Sequence, residues 1–227
     1  MTKIGILTIG QAPRADALAR EVAIVLGDRF EVVERGALDG LGAERVARLE
    51  PAEDDGPLVT LLADGTPVQV GKRAILAPLQ EQVARLEGED EVDATLLACT
   101  GRFPDFDHRR PLLLPQAALH GVVRGIAGGR RVATMPPLPE QASMAAHEWA
   151  VMGVEDVAVV TADPYGPDPH RSVAEAAREA NEFHASVLFM DCFGFDLSMR
   201  ATAAAEFAGP VILARSMAAR LIAEIAG

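Results

Sequence analysis

Ala94-Thr95-Leu96-Leu97-Ala98-Cys99-Thr100-Gly101 is an apolar run that ends on a thiol, one further residue and a glycine. The pattern returns in the second half of the chain as Ser186-Val187-Leu188-Phe189-Met190-Asp191-Cys192-Phe193-Gly194. Cys99 and Cys192 are the only cysteines. A short apolar run bounded by a turn signal reads as a buried strand, and the glycine beyond it marks a sharp change of direction. Two such strands, each delivering a thiol to its end, predict a chain built as two related lobes. Such a chain can bring both strand ends to one cleft, where facing thiols move protons on and off a carbon atom.

Working outward from these strands, the rest of the chain alternates strand and helix. Lys3 to Ile9 is a β-rich run broken by Gly10-Gln11-Ala12-Pro13-Arg14, after which an Ala/Leu/Val periodicity from Asp16 to Leu26 predicts a helix. Phe30 to Arg35 reads as the second strand, Ala43 to Leu49 as a short helix, and the acidic stretch Pro51 to Pro57 as a solvated turn. Leu58 to Ala63 and Pro67 to Val70 flank Asp64-Gly65, a pair that predicts an antiparallel hairpin because glycine accepts positive φ. A helix from Ala74 to Leu86 leads into the strand that ends at Cys99, and Gly101 to Pro115, with its prolines and charges, reads as a loop.

The second half keeps the same alternation. Helices are expected at Pro115 to Ile126, through Trp149, at Ser172 to His184, at Met199 to Phe207 and at Ser216 to Ile225. Strands are expected at Arg131 to Met135, Val157 to Thr161, up to Cys192, and at Val211 to Ala214. Strands separated by long helices imply an α/β fold with mostly parallel sheets. Lobe 1 is expected to take residues 1–115 with 208–227, including the hairpin, and lobe 2 residues 116–207. Ligands of such sheets collect beyond the carboxyl ends of the strands.

Composition narrows the function classes. A chain of 227 residues is long enough for two small lobes, and two cysteines do not make a disulfide framework. No apolar stretch approaches the roughly twenty residues that span a bilayer, so a cytoplasmic protein with no membrane partner is expected. The net charge of −12 speaks against a nucleic acid partner, which requires a dense cationic face. The five histidines show no metal spacing, Gly10-Gln11-Ala12-Pro13 lacks the dinucleotide fingerprint, and no Walker lysine motif exists. Neither a metal nor another cofactor is expected.

The run Ile6-Leu7-Thr8-Ile9-Gly10-Gln11-Ala12-Pro13-Arg14, the hairpin Leu61 to Val70, Leu97-Ala98-Cys99-Thr100-Gly101-Arg102-Phe103, Pro139-Glu140-Gln141 and Asp191-Cys192-Phe193-Gly194-Phe195 together resemble the AroM family almost end to end. That family looks like a branch of the aspartate/glutamate racemase superfamily. The resemblance implies two pseudosymmetric α/β lobes and a cofactor-independent racemase or isomerase-type reaction on a small carboxylate. In the mechanism it implies, one cysteine thiolate removes a proton α to a carboxylate and the opposite thiol supplies one. The sequence departs from the amino-acid racemases after both thiols: Thr100-Gly101 comes after Cys99, and Phe193-Gly194 comes after Cys192 where Thr-His is usual. An amino acid substrate is therefore in doubt.

The candidate catalytic pair is Cys99 and Cys192. A thiol is activated by a helix N-terminus, a turn amide or a nearby cation, and both cysteines are expected to precede helix starts or turn amides. Against this stands the reading of each as an inert core residue, since free cysteine is commonly buried. Gly10, Gln11 and Arg14 are candidate carboxylate anchors at the first strand-to-helix turn, with a surface arginine and a capping glutamine as the bland alternative. Thr100 and Gly101 offer amides to an enolate, Phe193 and Gly194 line the second turn, and Gln141 is a further candidate for substrate binding or helix capping. Asp191 is expected to point away from Cys192 into a structural salt link. A small carboxylate is the expected ligand, and a homodimer is compatible with the reading. A non-catalytic carboxylate-binding protein and a single-cysteine decarboxylase stay open as alternatives.

Overall fold

A computed structural model describes residues 1–52, 55 and 57–227. Within the acidic stretch 51–57, residues 53, 54 and 56 thus lie outside the described residues. Asp55 departs from the expected solvated turn. It is buried, and its carboxylate accepts the Arg73 amide at 2.9 Å.

The chain divides into two compact units, Met1–Pro115 with Ala218–Gly227, and Gln116–Met217. In the first, β1 (Thr2–Thr8), α1 (Leu18–Leu26) and β2 (Phe30–Gly36) form the opening strand, helix and strand, and the short α2 (Ala43–Ala47) comes next. The hairpin β3 (Pro57–Leu61) and β4 (Pro67–Gly71) pairs antiparallel, with the Thr66 amide donating to the Asp64 side chain and Gly65 at φ +87° in the connecting turn. Helix α3 (Leu76–Gly88) then leads to β5 (Ala94–Leu97), and a two-residue strand β6 (Leu112–Leu113) ends the series. The four-stranded sheet has the order β2-β1-β5-β6 and is parallel throughout. Leu7, Leu79, Leu86 and Leu97 are fully buried in its core.

The second unit begins in α4 (Pro115–Ala127) and continues through β7 (Val132–Met135), α5 (Ala142–Val151), β8 (Val157–Val159), α6 (Pro169–Glu182), β9 (Val187–Met190), α7 (Leu197–Glu206) and β10 (Val211–Leu213). Helix α8 (Ala214–Ala226) closes the chain. Strand order is β10-β9-β7-β8, again parallel. Caps set two of the helix starts: the Asp168 side chain accepts the Arg171 amide ahead of α6, and Asp196 accepts the Met199 amide at 2.7 Å ahead of α7. The buried face of α6 is Val173, Ala176, Ala177 and Ala180, small side chains that let a helix lie close to a sheet.

Strands β5, β7 and β9 are buried along their whole length. That is why they read as unbroken apolar runs rather than alternating ones, as expected for parallel strands covered on both faces. The expectation that residues 208–227 all join the first lobe is corrected. β10 pairs with β9 in register Val211↔Leu188 to Leu213↔Met190, so it extends the second sheet, and the first unit takes up only Ala218 onward. Nothing in the apolar triplet 211–213 marks which sheet edge it completes. The loop read over Gly101 to Pro115 also hides β6, too short for any periodicity to show, where the Thr95 amide donates to the Pro111 carbonyl.

Candidate functional site

The strands that carry the thiols occupy the same place in each sheet. β5 lies beside β1 with Leu97 in register with Leu7, and β9 lies beside β7 with Met190 opposite Met135. One residue on, the Ala98 amide donates to the Leu7 carbonyl at 2.8 Å and the Asp191 amide to the Met135 carbonyl at 2.9 Å. Cys99 and Cys192 come immediately after. The pairing makes Leu97, Ala98, Cys99 and Gly101 the counterparts of Met190, Asp191, Cys192 and Gly194.

Each thiol then receives the amide two residues ahead. Gly101 N–H points to Cys99 Sγ at 3.4 Å, and Gly194 N–H to Cys192 Sγ at 3.2 Å. Neither cysteine is in a disulfide; Cys99 is buried and Cys192 half-buried. An amide aimed at sulfur favours its anionic form, because the thiolate is the better acceptor. The donor in both cases is a turn amide and not a helix start. Cys99 leads into the irregular segment before β6, and α7 begins only at Leu197, with its first turn capped by Asp196.

The surroundings of the two turns differ. Gly101 has room: an added Cβ would meet Leu58, Phe103 and Cys99 Sγ at ordinary contact distances of 3.4 to 3.5 Å. Gly194 has none, since a Cβ there would lie 2.4 Å from the Tyr165 hydroxyl and 2.8 Å from Pro164 Cγ. Phe193 and Phe195 on either side of Gly194 are both buried. The Phe193 carbonyl accepts two hydrogen bonds from the Arg215 side chain, from Nε at 3.1 Å and from a terminal nitrogen at 2.6 Å.

In the first unit the predicted anchor residues come after β1, whose carboxyl end lies beside that of β5. Gln11 is a clamp on the backbone: its Nε2 donates to the Leu38 and Leu41 carbonyls at 3.2 and 3.1 Å, and its Oε1 accepts the Ala63 amide at 3.0 Å. The Gln11 amide donates to Leu61 O and the Gly10 amide to Thr8 Oγ1. A Cβ on Gly10 would strike Leu61 O at 2.3 Å, so only glycine lets the hairpin come this close. The Arg14 side chain is 2% exposed and engages Asp16 through Nε at 2.9 Å and Nη2 at 2.6 Å, with Nη1 reaching Thr8 and Thr60. The expectation of open donors for a carboxylate at Gly10, Gln11 and Arg14 is thereby corrected. Those groups tie the hairpin and the 38–41 turn to the end of β1, and Asp16 neutralises the cation.

Glu34 completes this corner by accepting the Arg14 amide at 3.3 Å. Burial pushes its carboxyl up from the ordinary value, against the pull of the Arg14 amide and charge.

In the second unit Gln141 is buried at the end of a 3-10 turn, Pro139–Gln141, located beyond β7. Cys192, Phe193 and Gly194 lie just beyond the adjacent β9. The predicted residues thus fall into two sets at the carboxyl edges of the two sheets: Gly10, Gln11, Arg14, Cys99, Thr100 and Gly101 in one, Gln141, Cys192, Phe193 and Gly194 in the other.

Asp191 is buried against His120 and Thr134, and the salt link expected of it would need a protonated His120. Its Oδ2 lies 3.5 Å from His120 Nε2 and accepts from Thr134 Oγ1 at 3.2 Å, while the His120 ring stacks on Trp149 at 4.3 Å between centroids. The sequence did not single out Arg215. The signal available was its place, a cation just after the last strand at the sheet edge where ligands collect. Among the described residues no group of three or more His, Cys, Asp or Glu side chains is placed to hold a metal ion. No helix among them is long and apolar enough to cross a membrane.

The fold has solved counterparts. Allantoin racemase from Klebsiella pneumoniae is similar at 17% identity and a TM-score of 0.65, over 99% of this chain and 87% of that one. Picrophilus torridus aspartate racemase matches at 12% identity and TM-score 0.60, covering 99% and 95%. An arylmalonate decarboxylase matches at 15% identity and TM-score 0.60, covering 99% and 92%. No curated protein matches the sequence. The fold is therefore that of the aspartate/glutamate racemases. At these identities the likeness speaks for the fold alone, whereas the sequence matches the family described as AroM protein over residues 4–226, and the chain belongs to that family.

Proposed function

We propose that this AroM family protein is a cofactor-independent enzyme that moves a proton at carbon next to the carboxylate of a small acid. The observation that carries the reading is the repeated turn, in which Cys99 and Cys192 each end the equivalent strand and each receive a glycine amide at sulfur. One thiolate takes the proton from carbon and becomes a thiol. The second thiol gives its proton to the resulting carbanion and becomes the thiolate. The Thr100 and Phe193 amides, with Gln141, are the groups assigned to meet the substrate, while the Gly101 and Gly194 amides hold the sulfurs and shape the two turns. Cysteines outside any disulfide suit a reducing compartment, the cytoplasm in this reading.

The test is isotope uptake. Incubating the protein in deuterated water with a panel of small carboxylic acids that carry an acidic C–H is expected to place deuterium at that carbon. Cys99→Ser and Cys192→Ser should each reduce the rate by at least about a hundredfold, the usual range for losing an acid or base. Uptake unaffected by either change would overturn the reading.

The unequal exposure of the two thiols favours a second reading, in which Cys192 alone protonates a carbanion left by loss of carbon dioxide. An arylmalonate decarboxylase shares the fold. Turnover of a substituted malonate that survives Cys99→Ser and is lost in Cys192→Ser would select it.

A further inference from the structure

We propose that Arg215 is a positioning residue that sets the thiolate character of Cys192 through the Phe193–Gly194 peptide. The inference rests on Cys192 being a reactive thiol. The carbonyl that Arg215 grips and the amide that meets the sulfur are the two ends of one peptide unit: Phe193 C=O accepts from Arg215, and Gly194 N–H donates to Cys192 Sγ. In a planar trans peptide these groups point in opposite directions. Holding the oxygen with a two-pronged guanidinium therefore fixes the aim of the N–H. It also polarises the peptide, because a bond to the carbonyl strengthens the amide as a donor. A charge-assisted contact does so more than a neutral one.

The surroundings make this an effective lever. Arg215 is 1% exposed, so water screens its charge little. Gly194 admits no side chain against Tyr165 and Pro164, and Phe193 and Phe195 are buried on either side, so the peptide has little room to rotate. The titratable and charged groups about the turn include Asp191, which lies against His120 and Thr134, the Tyr165 hydroxyl next to Gly194, and Arg215 itself. Among these, Arg215 is the cation linked to the sulfur through a continuous chain of hydrogen bonds and a single peptide.

The experiment uses the full chain in a Cys99→Ser background, so that alkylation by iodoacetamide reports on Cys192 alone. The rate is measured against pH, with the ultraviolet absorbance of the thiolate as a second measure. With Arg215 intact, the midpoint should lie below that of a free thiol, about 8.5. Arg215→Gln should raise it by about one unit, and so cut alkylation near neutral pH by up to about tenfold. Arg215→Lys keeps the charge but not the fork, and should give an intermediate midpoint. Equal midpoints in all three proteins would overturn the inference.

A measurement without substitution at Arg215 guards against a variant that does not fold. The Arg215 Nε–H and Gly194 N–H resonances should both titrate with the alkylation midpoint, and a Gly194 amide that moves while Arg215 does not would overturn the inference. A midpoint already at about 8.5 with Arg215 present would overturn both this inference and the reactivity of Cys192. A low midpoint that depends on Arg215, in a protein that takes up no deuterium, would support the inference while defeating the proposed reaction.

Discussion

Two sheets of four parallel strands are laid out here in the same order, with the first strand inside, the second on one flank, and the third and fourth on the other. The third strand of each leads, two residues on, to a cysteine whose sulfur meets a glycine amide, yet the support behind the two turns is unlike. Behind Cys192 stand Arg215 on the peptide, Tyr165 and Pro164 against Gly194, and the Asp191–His120 pair below the strand end. At the matching points of the first unit, Ala98 replaces Asp191, and Gly101 has ordinary space around it. A repeated backbone device has thus been given rigid, polar backing in one copy and apolar packing in the other. Equal topology fixes where a thiol is delivered; its neighbours decide how firmly it is held.

The difference breaks most visibly at the two glycines. Gly194→Ala places a methyl group 2.4 Å from the Tyr165 hydroxyl and 2.8 Å from Pro164 Cγ, so the half-buried tyrosine must swing aside and the buried proline ring, which has little freedom, must shift. It should cost about 2–3 kcal/mol of stability, the upper part of the range for overpacking. Gly101→Ala meets only ordinary contacts and should change stability by less than about 1 kcal/mol. Urea unfolding of both variants measures the gap. Equal losses would mean that the two turns are equally constrained, and the contrast would fail.

The next effect is at the residue before each thiol. Asp191→Asn replaces the carboxylate that accepts from Thr134 Oγ1 and lies 3.5 Å from His120 Nε2 in a buried setting, and should destabilise by about 1–3 kcal/mol, as expected when a buried polar group loses its matched partner. Ala98→Ser at the equivalent position has no charge to lose. If Asp191→Asn unfolds at the same urea concentration as the unmodified protein, the pair beneath Cys192 does not stabilise the second unit.

How far the sequence reveals this arrangement depends on how local each feature is. The apolar runs of β5 and β9, the Asp64-Gly65 hairpin and the alternation of strands with helices are local signals, and they suffice for the family's fold. β6 is obscure because it is only two residues long, while β10 is legible as a strand at Val211 to Ala214 but not as to its sheet, which is chosen by an edge contributed from elsewhere in the chain. The thiols are legible as a repeat. Gln11 and Arg14 are legible as turn residues, but their hydrogen bonds go to Leu38, Leu41, Ala63 and Asp16, and no spacing rule discloses that these carbonyls and amides surround the end of β1. Arg215 is hidden for the same reason, as a side chain whose partner is a backbone oxygen 22 residues earlier.

The smallest effect concerns the segments downstream of the thiols. After Cys192 the chain turns into α7, whereas after Cys99 it runs irregularly to β6 and is tied down by a carboxylate on α3. Glu87 Oε1 accepts the Arg109 and Arg110 amides, each at 2.8 Å, and its side chain is 5% exposed. Burial works to raise the Glu87 carboxyl, but the Arg110 and Arg109 amides together with the Arg109 guanidinium outweigh it and hold the group below its ordinary value. A carboxyl depressed in the folded state binds its proton less readily there than in the unfolded chain. Its contribution is therefore complete above the ordinary value of 4.5 and is lost as pH falls toward the lower folded value. Glu87→Gln keeps the shape and removes the charge, so it should cost about 1–2 kcal/mol near neutral pH, the scale of hydrogen bonds to a charged group. The gap between the two proteins should narrow steadily as urea unfolding is repeated at pH values below 4.5. A gap that stays constant across that range would show that the Glu87 carboxylate does not hold the segment after Cys99, and would erase this part of the contrast.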